Sequence, residues 1–379
     1  MDDTRNEIDS KTRAHDSPLV AISILNWNGW QDTLECLESV RQLDYPNYLT
    51  IVVDNGSWDG SAEKIKAWAE EKLGPGQVLA CYRRETALEG GDGQTEQALE
   101  HAPSPSRLVL IRNEENLGFT GGNNLAIHYA LERKPSCDYL FFLNNDAEAA
   151  PDCLSHLVRT DLKEQLGVVG ATIYDEAGQR VIAGPLTLPH LFCSDPFASW
   201  LSHSGEERGE FTESFAAHAS AAIMRAEAFR AVRRARGEYL EDRLFMYYDE
   251  LPLAYSLRKA GFRCAIAKRA MVRHKNAHSS GGLCNPLLYY YTLRNRLLVA
   301  REILPAPRRL LFHLLHLPLA LAQAAKNLLH RRPRSAWAIM CGLADGYRGV
   351  GGKWKHHEKA VGSRQRAVGS GQRAVGSGQ

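Results

Sequence analysis

The sequence lacks several short motifs that would place a chain of this length in a common enzyme class. No Gly-x-Gly-x-x-Gly and no Gly-Lys-Ser/Thr run is present, which weighs against dinucleotide-binding and P-loop sites. No His-Glu-x-x-His occurs, and the eight cysteines form no Cys-x-x-Cys pair. The polar first 18 residues contain no apolar stretch, so no secretory signal is predicted. We therefore expect mostly buried thiols in a reducing, cytoplasmic compartment.

Acidic residues are scarce in the last fifth of the chain. Residues 301–379 hold 14 Lys and Arg but only 3 Asp and Glu, although the net charge of all 379 residues is +2. A basic tail on a more acidic body predicts contact with an anionic surface, either a membrane leaflet or a nucleic acid. The contents of 44% hydrophobic and 24% charged residues are typical of a soluble globular protein with one large or two small domains.

Apolar strands alternate with helical patterns through the first 150 residues. Residues 19–27 and 49–61 each begin as a buried strand, and residues 30–43 carry apolar side chains at helical spacing. This alternation predicts βαβ units and an α/β fold with a mostly parallel sheet. Residues 1–17 are expected to form a disordered leader. Residues 87–107 are polar and rich in Gly and Pro, which predicts a loop insertion with at most one helical turn.

Three of the predicted strands end in polar clusters: DNGS at 54–57, NLG at 116–118 and NND at 144–146. Because the carboxyl ends of parallel strands meet at one edge of a sheet, these clusters are expected to converge on a ligand site. Asp146 is suited to hold Mg²⁺ or Mn²⁺, which prefer oxygen ligands. The alternative is that Asp146 only caps the following turn.

Two of these clusters have specific chemical uses and plain alternatives. Asp54 can accept hydrogen bonds from a nucleobase N–H or a ribose hydroxyl, although Asp-Asn-Gly is also common turn chemistry. The segment ENLGFTGGNN at 115–124 opens a helix whose free N–H groups suit a phosphate or sugar hydroxyls. It is otherwise a glycine-rich connection.

Two further segments carry candidate catalytic or ligand groups. Asp249 and Glu250 begin a predicted helix beside aromatic residues, where a carboxylate can have a raised pKa and act as a general base. An acid favoured by the helix dipole is the alternative. His274 and His278 follow a predicted strand, and one of them is a candidate metal or diphosphate ligand, with a structural histidine as the alternative.

The C-terminal region contains one long apolar stretch and one repeat. Residues 309–329 are apolar over about 20 positions, but polar residues and Pro318 interrupt them and arginines flank both sides. We predict one or two amphipathic helices lying in a membrane interface, rather than a spanning helix. A helical hairpin packed on the body is the other alternative. Residues 359–379 are three seven-residue repeats and are expected to be disordered.

Eight segments, taken in order, resemble the family-2 glycosyltransferases of GT-A fold, especially the bacterial rhamnosyltransferase-like branch. The match runs from about Val20 to Arg296, and the order is far more specific than any one segment. The segments are ISILNWNGWQDTLECLESV, IVVDNGSWDGS, NLGFTGGNN, FFLNNDAEAAPDCL, ASAAIMRAEAFR, FMYYDELPLAYSLRKAGF, RHKNAHSSGG and YYYTLRNRLLVAR.

The resemblance implies a GT-A fold, which is a Rossmann-like, mostly parallel sheet flanked by helices, over residues 18–300. The nucleotide-sugar half would cover about 18–150 and the acceptor half about 151–300. A C-terminal helical, membrane-proximal extension would follow, basic and amphipathic over 301–358. The disordered repeats would end the chain.

The resemblance also implies an inverting, metal-dependent transfer from a nucleotide sugar, of the dTDP-rhamnose or UDP-hexose type, to a hydroxyl of a surface polysaccharide or lipid-linked glycan. The enzyme would be cytoplasmic and peripherally associated with the inner leaflet of the cytoplasmic membrane. Asp146 and His274 would hold the divalent cation, Mg²⁺ or Mn²⁺, and Glu250, with Asp249 as second choice, would be the base. The donor contacts would be Asn26, Asn28, Asp54, Asn55, Ser57, Asn116, Gly118, Gly121, Asn123, Asn124, Asn144 and Asn145.

The acid motif departs from the family pattern, in which Glu-Asp-x-Asp usually precedes Leu. Here the segment reads Asp249-Glu250-Leu251-Pro252, so the two acids are exchanged and the last acid is proline. This difference motivates an alternative, a catalytically silent protein that binds nucleotide sugar or a partner enzyme. A nucleic-acid-binding protein is a third hypothesis, but the basic residues of the tail alternate with leucines rather than with base-stacking aromatics.

Overall fold

The computed structural model describes residues 17–74, 77–185, 207–275 and 285–355. Within these ranges, twelve strands form one hydrogen-bonded sheet, and helices cover both of its faces. Most of the expected leader, the seven-residue repeats and His278 lie outside the described residues.

The strands follow the apolar runs of the sequence. Their bounds are β1 Val20–Asn26, β2 Tyr48–Asn55, β3 Val78–Arg83, β4 Arg107–Asn113, β5 Tyr139–Leu143, β6 Ala147–Ala149, β7 Gly167–Tyr174, β8 Val181–Ala183, β9 Glu207–Arg208, β10 Phe211–Ser214, β11 Ala221–Arg225 and β12 Arg263–His274.

The helices alternate with the strands in the first half of the chain and close the fold at its end. Their bounds are α1 Trp30–Val40, α2 Ser61–Lys72, α3 Arg84–Leu88, α4 Gly93–His101, α5 Gly118–Glu132, α6 Cys153–Glu164, α7 Ala226–Arg236, α8 Glu250–Lys259, α9 Pro286–Ile303, α10 Ala306–Leu329 and α11 Pro333–Arg348.

The sheet has a parallel half and a mixed half. Its main path runs β3-β4-β2-β1-β5-β11-β7-β12-β10-β9, with β6 paired to β12 and β8 paired to β7. The first five strands on this path are all parallel. Strand β11 pairs antiparallel with both β5 and β7, whereas β12 is parallel to β7. The predicted α/β class with a helix-flanked central sheet is confirmed.

The register of the parallel half brings the polar strand ends together. Asn26 at the end of β1 lies opposite Asp54 of β2, and Asn55 lies opposite Asn113 of β4. Alternate residues of each strand face the two cores, so that Ile22 packs with α1 and α6 while its neighbours face α5. The rigid sheet therefore carries its polar groups at one edge.

The C-terminal helices pack against the body through α9. This helix is buried along most of its length and lies against α11. A Cβ atom at Gly342 would lie 2.6 Å from the carbonyl oxygen of Tyr290, so the two helices approach too closely for any larger residue. Helix α10 continues through Pro318 as one element.

One sequence prediction fails in the parallel half. Residues 87–107, expected to be a loop, contain the end of α3 and all of α4. Asp92 caps α4 by accepting hydrogen bonds from the backbone N–H groups of Gln94 and Thr95. Glu96 of this helix is buried in an ion pair with Arg133, at 2.8 Å. The stabilising partner is thus 37 residues away, beyond the reach of a local pattern.

Candidate active site

A chain of hydrogen bonds links the carboxyl ends of β1, β2 and β5. The Asn26 amide donates to Asp54 Oδ1 at 2.8 Å, and Asn26 Oδ1 accepts from the Thr33 hydroxyl at 2.9 Å. The Asn145 amide in turn donates to Thr33 Oγ1 at 3.2 Å. Three of the predicted donor residues therefore belong to one connected site, and Thr33 of α1 joins them.

The loop after β1 is fixed to the turn after β2. The backbone N–H of Asn28 donates to Ser57 Oγ at 2.9 Å, and Asn28 Oδ1 accepts from the N–H of Trp58. Asn28 has a φ of 52°, a left-handed conformation that asparagine tolerates better than most residues. The indoles of Trp27 and Trp58 are exposed beside these contacts. Two large, exposed apolar side chains therefore flank the polar edge of the sheet.

Asn55 organises the connection between β4 and α5. Its amide nitrogen donates to Asn116 Oδ1 at 3.1 Å and to the carbonyl of Gly118 at 2.9 Å. Its amide oxygen accepts from Asn113 and from the backbone N–H of Leu117. These predicted donor residues shape the loop, and their contact with a donor remains a prediction.

Gly118 stands where the start of α5 meets the segment before α8. Its φ is +76°, and a Cβ atom there would lie 2.3 Å from the carbonyl oxygen of Phe245. The backbone N–H of Phe119 donates to that same oxygen at 2.6 Å. Only glycine permits this approach, which joins the start of α5 to the segment before α8.

Three other predicted donor residues lie on α5 itself. Asn123 Oδ1 accepts from the hydroxyl of Ser23 at 3.1 Å. The Asn124 amide donates to Asp242 Oδ1 at 2.7 Å, and its oxygen accepts from a backbone N–H. Gly121 lies against Leu117 within the helix. The structure commits both asparagine side chains to internal hydrogen bonds, so a donor contact at these positions remains a prediction.

The polar triplet after β5 meets the end of β12. Asp146 Oδ1 lies 2.9 Å from His274 Nε2, and Asn144 Nδ2 lies 3.3 Å from the same ring nitrogen. Burial raises the pKa of the Asp146 carboxyl, but the hydrogen bond and charge of His274, a backbone hydrogen bond and the charge of Lys275 together outweigh burial, so the pKa is lowered from its usual value. Asp146 is therefore an ionised, almost fully buried carboxylate.

The Asp146–His274 pair fits a divalent cation in the chemistry of its donor atoms. A carboxylate oxygen just before β6 and an imidazole nitrogen at the end of β12 offer two protein ligands, and the remaining positions would be left to substrate oxygens and water. No group of three or more His, Cys, Asp or Glu in the described ranges forms a complete cage. The residues present suit a cation that is shared with a diphosphate.

Lys275 fastens the end of β12 beside this pair. Its ammonium lies 2.7 Å from Asp32 Oδ1 and 2.5 Å from Glu35 Oε2, both on α1. Its backbone N–H donates to the carbonyl oxygen of Asp146 at 3.0 Å. Lys275 therefore holds His274 in register with Asp146.

The acid pair occupies the start of α8. Asp249 is only 4% exposed, and no described group hydrogen-bonds its Oδ2. Burial, and then the charge of Glu250, raise the Asp249 pKa well above its usual value. Glu250 is partly exposed in the first helical turn. Accessibility thus favours Glu250 as the base, while Asp249 is suited to remain protonated.

Pro252, the departure noted in the sequence, sits in the first turn of α8. The N–H groups of a first helical turn have no intrahelical partner, so a proline there removes no helix hydrogen bond. The helix continues normally to Lys259. The substitution therefore leaves the backbone that presents Glu250 intact.

His218 is an exposed histidine that the sequence analysis did not single out. It lies in the loop between β10 and β11, and its Nδ1 lies 3.0 Å from Ser220 Oγ. Solvent reaches the ring, yet surrounding protein lowers its pKa, with Glu250 raising it and His274 lowering it. In the sequence it is the only histidine of the run FAAHASAA, and it has no motif spacing to another candidate ligand or catalytic residue.

The sequence matches the family described as glycosyl transferase family 2 over residues 21–102 and 88–233. This match extends over more than half of the chain. The chain therefore belongs to glycosyl transferase family 2, a family of glycosyltransferases, as the sequence resemblance predicted. The rhamnosyltransferase-like branch remains a prediction.

Individual relatives are distant. The chain is 23% identical over 212 residues to the low-salt glycan biosynthesis hexosyltransferase Agl10 of Haloferax volcanii, a match over 56% of this chain. It spans 66% of that relative, just under two thirds. Among solved structures, the mannosyltransferase PcManGT of Pyrobaculum calidifontis, in complex with GDP-Man and Mn²⁺, has a TM-score of 0.49 at 14% identity, over 93% of this chain and 81% of that one. GalNAc-T7 with UDP, GalNAc and Mn²⁺ also has a TM-score of 0.49 at 14% identity, over 75% and 48%.

Proposed function

We propose that this chain transfers a hexosyl or deoxyhexosyl group from a nucleotide sugar to a hydroxyl of a glycan acceptor, with inversion. The hydrogen-bond chain from Asp54 through Asn26 and Thr33 to Asn145 carries the proposal. It connects Asp54, which is suited to bind a nucleobase or ribose, to the polar triplet after β5, which is suited to bind near a diphosphate. Membership of family 2 and the hexosyltransferase name of the Haloferax volcanii relative support the sugar class.

In the proposed reaction the nucleotide lies along the edge of β1, β2 and β5, and the acceptor approaches from the side of α8. Glu250 accepts the proton of the acceptor hydroxyl as its oxygen forms a bond to the anomeric carbon. The bond from that carbon to the diphosphate oxygen breaks, and its electron pair leaves with the nucleoside diphosphate. Attack opposite the leaving group inverts the anomeric centre.

A divalent cation, Mg²⁺ or Mn²⁺, is part of the proposal. Asp146 and His274 would hold it, and it would offset the negative charge that develops on the leaving diphosphate. The Asn144 amide lies 3.3 Å from the same ring nitrogen and would therefore border the cation position. We further propose that the nucleotide of the donor is uridine diphosphate or deoxythymidine diphosphate.

Thermal stabilisation by UDP, dTDP and GDP, each with and without Mn²⁺, tests this donor site. We expect one nucleotide to stabilise the wild type more with Mn²⁺, and Asp146→Ala to lose the Mn²⁺-dependent part. Asp152→Ala is the matched control, because Asp152 is an exposed acid six positions along the chain. No stabilisation by any nucleotide would refute the site. Stabilisation without sugar transfer to any acceptor would favour the binding-only alternative.

We also propose that α10 lies on an anionic membrane surface, where a lipid-linked acceptor would reside. One stripe of this helix, Phe312, His316, Ala320 and Ala324, packs on the body. Leucines cover much of the rest and are exposed: Leu310, Leu311, Leu314, Leu315, Leu317, Leu319, Leu321, Leu328 and Leu329.

The ends of this apolar face are basic. Arg308 and Arg309 lie at its start, and Arg331, Arg332 and Arg334 follow its end. In a helix that lies in the interface of an anionic leaflet, exposed leucines enter the acyl region and flanking arginines contact the headgroups. The pattern of α10 suits this arrangement. Among the helices in the described ranges, none combines the length and apolarity that crossing a bilayer requires.

A further inference from the structure

The backbone immediately before the acid pair is held in an unfavourable conformation. Phe245, Tyr247 and Tyr248 have φ values of 65°, 65° and 67°, in the left-handed region that bulky residues rarely adopt. The backbone N–H of Met246 donates to the carbonyl of Leu244 at 2.7 Å, which makes Phe245 the centre of a strained γ-turn. Such a segment persists only when its surroundings hold it.

Asn295 of α9 holds this segment, residues 244–248, by its backbone. Its amide nitrogen lies within hydrogen-bonding distance of three carbonyl oxygens, those of Leu244 at 2.9 Å, Met246 at 2.7 Å and Tyr247 at 2.9 Å. The side chain is fully buried. A single amide thus ties three carbonyl groups of the strained segment to helix α9.

Arg294, the neighbouring residue, supports the same segment. Its guanidinium donates to the carbonyl of Leu244 at 2.8 Å, to that of Arg243 at 3.2 Å and to that of Gly352. Its Nε donates to Asn295 Oδ1 at 2.9 Å, which orients that amide toward the segment. The side chain is fully buried, and all its described hydrogen bonds go to neutral oxygens.

Helix α8 begins directly after this segment and has no side-chain cap at its start. The direction in which the side chains of Asp249 and Glu250 project is therefore set by the backbone that precedes the helix. On the opposite side, the N–H groups of Phe119 and Thr120 approach the carbonyl of Phe245, at 2.6 and 3.3 Å. The segment is held from both α5 and α9.

We propose that Arg294 and Asn295 are positioning residues for the reaction: by clamping residues 244–248 they aim Glu250 at the acceptor hydroxyl. The inference rests on the proposed function. Both side chains are fully buried, so their effect would reach the chemistry through the backbone. Since a misplacement of about 1 Å can slow a reaction on the order of 100-fold, the clamp acts on turnover more than on binding.

Asn295→Ala and Arg294→Lys test the clamp. Asn295→Ala removes the donor to three carbonyls, and Arg294→Lys keeps the buried charge but loses the planar fork. We expect kcat to fall about 100-fold for Asn295→Ala and about tenfold for Arg294→Lys, while nucleotide affinity stays within about threefold. All rates are taken per folded molecule, well below the lowest melting temperature of the set.

Asp161→Asn is the matched control for general destabilisation. Asp161 is also fully buried and multiply bonded, accepting from the Tyr139 hydroxyl at 2.8 Å and the Gly167 N–H at 2.7 Å. It lies on α6 and contacts Tyr139 at the amino end of β5, which is the edge of the sheet opposite the site. We expect Asp161→Asn to lower the melting temperature while keeping kcat within threefold of the wild type.

The outcomes separate the hypotheses. A kcat within threefold of wild type in both clamp variants, or an equal loss in Asp161→Asn, would overturn the positioning role. If neither clamp variant folds, Arg294 and Asn295 are folding requirements and the positioning role is rejected. A wild type that binds nucleotide but transfers no sugar would instead refute the proposed function.

Discussion

Glutamate at two exposed leucines of α10 should release the protein from anionic membranes. Leu310 and Leu314 lie one helical turn apart and are 62% and 64% exposed. Complete burial of a leucine contributes roughly 2 kcal/mol, so transfer of the exposed fractions contributes roughly 1.2 kcal/mol each, or about 2.5 kcal/mol for the pair. That difference corresponds to about 50- to 100-fold in affinity. Repulsion between the new carboxylates and anionic lipid adds to it.

The assay is flotation with vesicles of phosphatidylglycerol and phosphatidylethanolamine, compared with vesicles of phosphatidylcholine alone. Leu162→Glu is the matched control, because Leu162 is a 46% exposed leucine on α6, away from α10. We expect wild type and Leu162→Glu to float with anionic vesicles, less so as salt is raised, and the double variant to remain behind. A double variant that binds within threefold of the wild type would refute the membrane-facing role of α10.

Three further predictions concern the site. Asp249→Asn should raise the free energy of unfolding at neutral pH. Because the pKa of Asp249 is raised in the folded protein, the bound proton contributes its full stability below the unfolded pKa of about 4. This contribution is lost as the pH rises, by up to about 1.4 kcal/mol per pH unit. Denaturant unfolding from pH 4.5 to 8 should show this slope only in the wild type, and equal slopes would contradict it. Glu250→Gln should lower kcat about 10²- to 10⁴-fold without changing nucleotide binding in titrations, whereas an unchanged kcat would exclude Glu250 as the base. Asp54→Ala should weaken nucleotide binding about tenfold by calorimetry, since it removes a charged acceptor and frees the Asn26 amide, and unchanged binding would place the nucleotide elsewhere.

The parallel half of the sheet and its polar edge could be predicted because their signals are local. The apolar run 139–143 becomes β5, and the change to polar residues at Asn144 marks where the strand leaves the core. The same holds at Asn26 and Asp54. The antiparallel course of β11 between β5 and β7 had no such local signal, since strand direction depends on connections that a short pattern does not record.

Other features depend on partners far along the chain. Helix α4 forms where glycines and prolines predicted a loop, because Glu96 is buried against Arg133. Asn295 reads in sequence as one polar residue within an apolar helix, yet its amide lies near backbone carbonyls about fifty residues earlier. Only the folded arrangement shows what these side chains do.

The five-residue ladder between β5 and β11 has a consequence for how such an enzyme can change. It joins the half that ends in Asn144 to the half that carries Glu250, with Leu143 directly opposite Ala221. The two halves therefore cannot be exchanged between proteins as independent domains. Separating β5 from β11 would expose two unpaired strand edges at the centre of the sheet. A chain split after α6 and expressed as two fragments would have to rebuild this ladder before either substrate had a complete site. New acceptor specificity is accordingly easier to obtain by altering the segments at the sheet edge than by recombining domains.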